Sequence, residues 1–320
     1  QMKSRNMKIA IIGGGLAGIS AARHAQKAGL DYEIFEASDR LGGRVQSISY
    51  KGFILDRGFQ VVNLRYPELR KLMRKNPPAT KIFSTLVSSS GHDFSLFNIR
   101  NLFTRSSGSF SEKLSFLIYV LKRPAQPLAS ASKKFPTLYK NLIRPFLSGV
   151  FLNDPEAVDS HIVHSIVRHF LRGRPSLITG GLTNLVIALT APLNTSKIHL
   201  NSAVTQVEKT ESGYRIFVNG NRHPGEISGI AIGNNKRWLS SITVYHSTSR
   251  PNLPKKLFLG GSFVNSLAIS EANDSYGKPG QALISTTYLL SKDKWIEKQE
   301  FFESEIAAHY NLSLHELKFL

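Results

Sequence analysis

The chain has no cysteine in 320 residues. Disulfides, thiolate metal sites and cysteine nucleophiles are therefore excluded. It also lacks any apolar run approaching the ~18 residues of a membrane span. The longest candidate, LSFLIYVL at 114–121, is short and lies between Lys113 and Lys122. Its ordinary reading is a core or cavity-lining helix; the sharper one is a helix that dips into a bilayer interface. Signal-peptide character is missing too, because the first apolar stretch runs straight into a glycine motif.

Acid is scarce. Lys and Arg number 41 against 22 Asp and Glu, a formal net charge of +19. The surplus sits early: residues 1–80 carry 14 basic and 6 acidic side chains, residues 81–175 carry 13 and 5, and residues 176–320 carry 14 and 11. A basic surface suits nucleic acid, an anionic membrane or an anionic cofactor. No helix-turn-helix, RNA-binding or zinc-finger pattern accompanies it, so nucleic acid is not expected. Expected location is the cytoplasm, with peripheral contact to a membrane. Chain length suggests one large or two medium domains with ample core.

What is present is concentrated near the start. KIAII (8–12) reads as a doubly covered parallel strand. It ends in Gly13-Gly14-Gly15-Leu16-Ala17-Gly18, a G-x-G-x-x-G motif, followed by helix-favouring ISAARHAQKAG and a second strand, YEIFE, closing on Glu36. Gly13 permits the tight turn, Gly15 admits a pyrophosphate close to the backbone, and Gly18 lets the helix pack against the strand. The pyrophosphate would face the helix N-terminus. Glu36 is placed to accept from ribose hydroxyls and would repel a 2′-phosphate.

NAD and FAD sites share this pattern up to the acid. Here it continues as Glu36-Ala37-Ser38-Asp39-Arg40-Leu41-Gly42-Gly43-Arg44. Gly42 and Gly43 remove side chains that would hold the backbone off a cofactor. Arg44 can fork onto pyrophosphate oxygens bidentately. GGGLAGISAARHAQKAG with EIFEASDRLGGR resembles the N-terminus of the flavin amine oxidase superfamily, which includes monoamine oxidases, protoporphyrinogen oxidases and phytoene desaturases. The resemblance is dense over residues 8–60.

That resemblance implies a Rossmann-like α/β FAD-binding domain with a parallel sheet, plus an α+β substrate domain of helices and an antiparallel sheet. FAD would be held non-covalently, since no cysteine is available for a thioether link. Gly13, Gly15, Leu16, Ala17, Gly18, Glu36 and Ala37 would hold adenosine and pyrophosphate, with Arg40, Gly42, Gly43 and Arg44 along the same path. In GFILDRGFQVV, Asp56, Gly58, Phe59 and Gln60 match the family segment passing beside the flavin ring; a plain turn at Asp56-Arg57-Gly58 remains open. Val204 matches the residue whose backbone grips adenine. Gly180-Gly181-Leu182 resembles the segment returning the chain to the FAD domain, and IAIGNN (230–235) stands where the family has a strand ending in Ala-Thr. The FAD domain is expected over 1–80 and 176–238, and the substrate domain over 81–175 and 239–320.

Outside the motif the pattern is looser. LRYPELRKLMRK predicts an amphipathic helix within 64–80, ended by Asn76-Pro77-Pro78. Residues 81–175 read as a largely helical insert. Asp154-Pro155 reads as a helix start, an acidic N-cap followed by proline at N1. His161, His164 and His169 would follow on that helix, though their spacing aligns only two on one face and no metal site is expected. KIHLNSAVTQVEKTESGYRIFVNG predicts strands around a turn at Ser212-Gly213, and ITVYH, KLFLG and ALISTTYLL predict antiparallel strands. Trp295 to His309 has helical periodicity.

The function implied by the resemblance is an FAD-dependent oxidoreductase, moving a hydride from a substrate C–H or C–N bond to flavin N5. Basic charge and the Phe- and Leu-rich insert favour a lipophilic substrate, isoprenoid or tetrapyrrole-like, over an amine. No catalytic residue is assigned. The family's G-D…G-A-x-x-S-G segment does not occur before Leu320, which leaves open a chain that binds FAD without turnover; an NAD-linked dehydrogenase is the remaining alternative.

Overall fold

A computed structural model describes residues 7–58, 60–73, 75–81, 86–89, 91–94, 107–122, 126–172, 175–225, 227–232, 240–250 and 252–320. The chain divides into two compact units: Gln1–Ser47, Glu68–Pro77 and Leu182–Trp238 form the first, and Ile48–Pro67, Pro78–Gly181 and Leu239–Leu320 the second.

The first unit is built on β1 (Lys8–Ile12), which pairs in parallel with β2 (Asp31–Phe35) on one side and with the strand Gly229–Ile232 on the other. The strand Ile198–His199 adds in parallel beyond β2. Alternation along β1 sends successive side chains to opposite faces. Ile11 packs with Ile34 and with Ala22 and Ala25 of α1 (Leu16–Lys27). Ala10 and Phe35 pack instead with Ile216 and Ile227 beneath the hairpin Val204–Lys209/Tyr214–Val218. α1 stops where Gly29 takes φ +69 and its amide and that of Leu30 turn back to Gln26 and Ala25, the left-handed ending glycine favours.

The helix expected within 64–80 is shorter than its periodicity suggests. α2 covers only Pro67–Leu72. Pro67 fixes the first turn and disfavours helix in the residue before it, and Tyr66 is held in a turn by Asn63. Arg23 of α1 donates through Nη2 to the carbonyl of Leu72 at 3.0 Å.

In the second unit a seven-stranded sheet carries the architecture. Ile242–Thr248 pairs antiparallel with Ala282–Tyr288, which pairs antiparallel with Asn265–Ala268, followed by Lys256–Leu259. All seven residues of Ala282–Tyr288 are buried. One face packs Ile284 and Tyr288 against Trp295, Phe302 and Ile306 of the helices Lys292–Glu297 and Gln299–His309. The other packs Tyr245 and Leu283 with Phe53, Leu177 and Tyr276.

Two expectations change here, and a third gains detail. The largely helical insert also supplies a strand: Leu86–Ser89 joins the sheet in parallel with Lys256–Leu259. A four-residue strand is too short to leave a periodicity of its own. Asp154-Pro155 opens a 3-10 turn, Pro155–Ala157, with Asp154 capping the amide of Glu156 at 3.1 Å. The long helix starts later, at Ser160–Arg172, where the Asp159 carboxylate accepts from the amide of His161 at 2.9 Å. Residues 48–67 belong with the second unit because Phe53 and Leu55 complete its core. Residues 110–122 and 126–172 otherwise form a helical cluster centred on Phe135, Leu147 and Val163. No helix among the described residues is long and apolar enough to cross a membrane.

Candidate dinucleotide site

β1 hands the chain to α1 through Gly13, whose φ of +96 is open to glycine and strained for other residues. Its amide donates to the carbonyl of Phe35 at 2.8 Å, pinning the turn to the end of β2. Gly18 makes the close approach: a Cβ there would collide with the Gly13 carbonyl oxygen. Gly15 caps α1 without any side-chain bond, and the first turn of α1 holds no acid. The first amides of a helix have no intrahelical acceptor, so Leu16, Ala17 and Gly18 present donors at the positive end of a twelve-residue dipole. Leu16 and Ala17 are exposed.

Glu36 follows directly on β2. Its Oε2 accepts from the amide of Gly14 at 2.6 Å, and its Oε1 accepts from the Ser38 amide at 2.9 Å and the Ser38 hydroxyl at 2.7 Å. Burial pushes the Glu36 carboxyl up, but the bonds from Ser38 and Gly14 outweigh it and the net shift is downward. The group is thus held as a half-buried carboxylate at the rim of the glycine turn.

The second glycine pair meets the first backbone to backbone. The amide of Gly42 donates to the carbonyl of Gly14 at 2.8 Å, and Gly42 pairs with Gly15 as an isolated parallel bridge. Gly42 has φ +117, and a Cβ on it would meet Val45 O at 2.6 Å; a Cβ on Gly43 would lie 3.1 Å from Gly15 Cα. Leu41 covers Gly14 from the other side, so close that its Cδ2 would collide with a Gly14 Cβ. Ala37 and Arg40 are exposed, and Arg40 Nε pairs with Asp39 Oδ1 at 2.9 Å. Arg44 is exposed at the end of the same loop. Ser202 and Asn201 donate from their amides to the carbonyls of Glu36 and Ser38 at 2.8 and 2.9 Å. That clamp leads into Val204, half-buried at the start of its hairpin strand and packed against the cluster of Ala10 and Phe35.

The first unit therefore gathers Gly13, Gly15, Leu16, Ala17, Gly18, Glu36, Ala37, Gly42, Gly43 and Val204 around one turn, with Arg40 and Arg44 on the adjoining loop. Gly14, Ser38 and Leu41 complete it and are not singled out by the sequence reading. Ser38 does leave a signal: it stands two residues past the acid, the offset of a serine that bonds local backbone.

Gly58 and Gln60 lie in the second unit, Phe59 outside the described residues, as do Gly233 to Asn235 of IAIGNN. Gly58 has φ +88. The Gln60 side chain is committed within its unit, donating to Tyr245 Oη and Ser285 Oγ, each at 2.7 Å. Asp56, 2% exposed, accepts from Tyr276 Oη at 2.7 Å, while Tyr245 Oη donates to the Asp56 carbonyl at 2.6 Å.

His164 is buried with Nε2 against the carbonyl of Tyr119, and His169 Nδ1 lies 3.2 Å from Ser165 Oγ. Among the described residues no group of three or more His, Asp or Glu is arranged for a metal ion.

These residues fit the adenosine–pyrophosphate end of a dinucleotide: a carboxylate at the tip of β2, helix-start donors, and glycines that leave the backbone bare for a close approach. The fold is α/β with a parallel sheet, and the turn has the form of a nucleotide-binding site. A sequence profile of flavin-containing amine oxidoreductases matches residues 16–225, more than half of the chain, and the chain belongs to that family. The family implies a flavin cofactor.

Similarity to individual proteins is local in sequence and broad in structure. The chain is 47% identical over 55 residues to a lysine-specific histone demethylase 1B homolog of Caenorhabditis elegans, 17% of this chain and 7% of that protein. It is 33% identical over 66 residues to protoporphyrinogen oxidase 2 of Arabidopsis thaliana, 21% of this chain and 13% of the relative. The matched stretch is thus a small part of these relatives' length. A solved oxidoreductase from Methanosarcina mazei superposes with a TM-score of 0.76 at 18% identity, over 98% of this chain and 86% of that one. At that identity the likeness concerns the fold.

Proposed function

We propose that the chain is an oxidoreductase that binds FAD non-covalently and oxidises a lipophilic substrate. The observation that carries the cofactor is the junction of Gly14, Glu36 and Gly42, where one glycine amide and one carbonyl tie both halves of E-x-x-x-R-x-G-G-R to the turn. Bound FAD supplies the two-electron oxidising power for a C–H or C–N bond.

The chain's own residues bind and orient. Glu36, held ionised by Ser38 and Gly14, accepts from the ribose hydroxyls. The amides at the start of α1 face the pyrophosphate. Arg44 adds a charge-assisted contact from the loop. Val204 lines the adenine side. The substrate reading draws on the largely apolar helical cluster around Phe135 and Leu147, and on the name of the protoporphyrinogen oxidase relative. The histone demethylase relative's name speaks for amines instead.

The test is a titration of purified protein with FAD and, separately, with NADH, followed by anaerobic addition of a polyene, a tetrapyrrole or a polyamine. Stoichiometric flavin absorbance, bleached by the polyene or the tetrapyrrole, is the expected result. Bleaching by the polyamine alone reverses the substrate class. A bound flavin that no donor reduces removes the catalytic reading. NADH binding without flavin removes the FAD assignment.

A further inference from the structure

α3 (Phe110–Leu121) has two unlike sides. Inward, Tyr119 and Val120 join the helical core with Phe135 and Leu138. Glu112, the helix's one acid, is also turned in: its carboxylate accepts from the amides of Ser109 and Thr137, both at 3.1 Å, closing a capping box. Outward, Phe110, Leu114, Leu117, Ile118 and Leu121 are 48 to 66% exposed. Their spacing puts them in one continuous stripe along the helix. Large contiguous apolar patches are uncommon on soluble monomers and mark interaction sites.

The surroundings decide the occupant. Lys122 follows the last residue of the stripe and is exposed; Lys133 and Lys134 are exposed on the turn Ser132–Lys134, which packs against α3. Arg168 donates to the carbonyls of Leu121 and Lys122, at 3.0 and 3.3 Å, anchoring the C-terminal end of α3. No acid is exposed on α3 or on that turn. A second copy would bring a second basic face to the same interface. An anionic surface with an apolar interior complements both features. At about 1.5 Å per residue, α3 is roughly 18 Å long, far below the ~30 Å needed to span a bilayer.

We propose that α3 lies in the plane of an anionic bilayer surface, its stripe among the acyl chains and its lysines at headgroup level. This placement goes beyond the flavin reading and stands without it. The test is flotation of the full chain with vesicles of phosphatidylcholine and phosphatidylglycerol at 3:1, with pure phosphatidylcholine as comparison. The wild type should float with the anionic vesicles, and Leu117→Gln with Leu121→Gln should cut partitioning about tenfold, with an unchanged thermal midpoint because both sites are exposed. Phe110→Trp should add indole emission that shifts to the blue with anionic vesicles. Absence of wild-type flotation, undiminished flotation of the double variant, or an added emission in F110W that the vesicles leave unmoved overturns the proposal. So does a wild-type dimer that the double variant dissociates.

Discussion

The amide of Gly42 donates to the carbonyl of Gly14 at 2.8 Å, so the second glycine pair is tied to the first rather than merely following it in sequence. Gly42→Ala tests that tie. The position has φ +117, and a methyl group would meet Val45 O at 2.6 Å and Val186 Cγ2 at 3.0 Å. Strain of this kind costs about 1–3 kcal/mol. Gly29→Ala is the control, left-handed at φ +69 with nothing within 4 Å. Both variants should lower the thermal midpoint, but only Gly42→Ala should weaken FAD binding in a fluorescence titration. Equal FAD affinity in the two would show that the tie does not shape the site.

Glu36→Gln separates charge from shape. The carboxylate accepts from three donors, and a carboxamide must turn its NH₂ toward at least one of them. The expected loss is about 1–3 kcal/mol of FAD affinity, or roughly fivefold to 150-fold. Ser38→Ala should move affinity the same way by less, since it removes one hydroxyl donor and leaves the two amides. Unchanged affinity in Glu36→Gln would remove Glu36 from the site.

A third prediction concerns the second unit's core. Tyr276 Oη donates to Asp56 Oδ2, and burial, reinforced by the Asp56 charge, pushes the phenol far up, so it stays a donor at every working pH. Tyr276→Phe strips that donor from a buried carboxylate and should cost about 1–3 kcal/mol in urea denaturation. Combined with Asp56→Asn the loss should fall short of additive, because the two groups share one bond. Strict additivity would mean that the bond contributes nothing.

The legible part of this protein is local in sequence. The strand, glycine turn, helix and acid lie within Lys8 to Glu36, and each step has a steric or dipolar cause that the residue types announce. Leu41 escapes a reading of the sequence because its role depends on where Gly14 comes to rest. Asp56 and Tyr276 are 220 residues apart in sequence, and no periodicity connects them. LRYPELRKLMRK overstates α2 because it has helical spacing on both sides of Pro67, where the backbone cannot follow it. Assigning residues 48–67 to the first domain fails for a related reason: a continuous motif resemblance carries across the boundary, whereas Phe53 and Leu55 pack in the second core.

The pair His246 and Glu303 should give the second unit a pH-dependent margin. His246 is 1% exposed on its strand, and its Nε2 lies 3.1 Å from Glu303 Oε1, which also accepts from Gln299 at 2.8 Å. The bond to His246 pulls the Glu303 carboxyl below its usual range, against a smaller upward push from burial. A carboxyl lowered by folding stabilises the native state above its unfolded pKa, and that contribution disappears as pH falls through the lowered folded value. Wild type should therefore exceed Glu303→Gln in urea midpoint at pH 7 and pH 5. The gap should narrow below about pH 5, as a free glutamate of ordinary pKa about 4.3 takes up its proton, and close once the lowered folded carboxyl protonates as well. A gap that is constant with pH would place the difference in packing rather than in the Glu303 carboxylate.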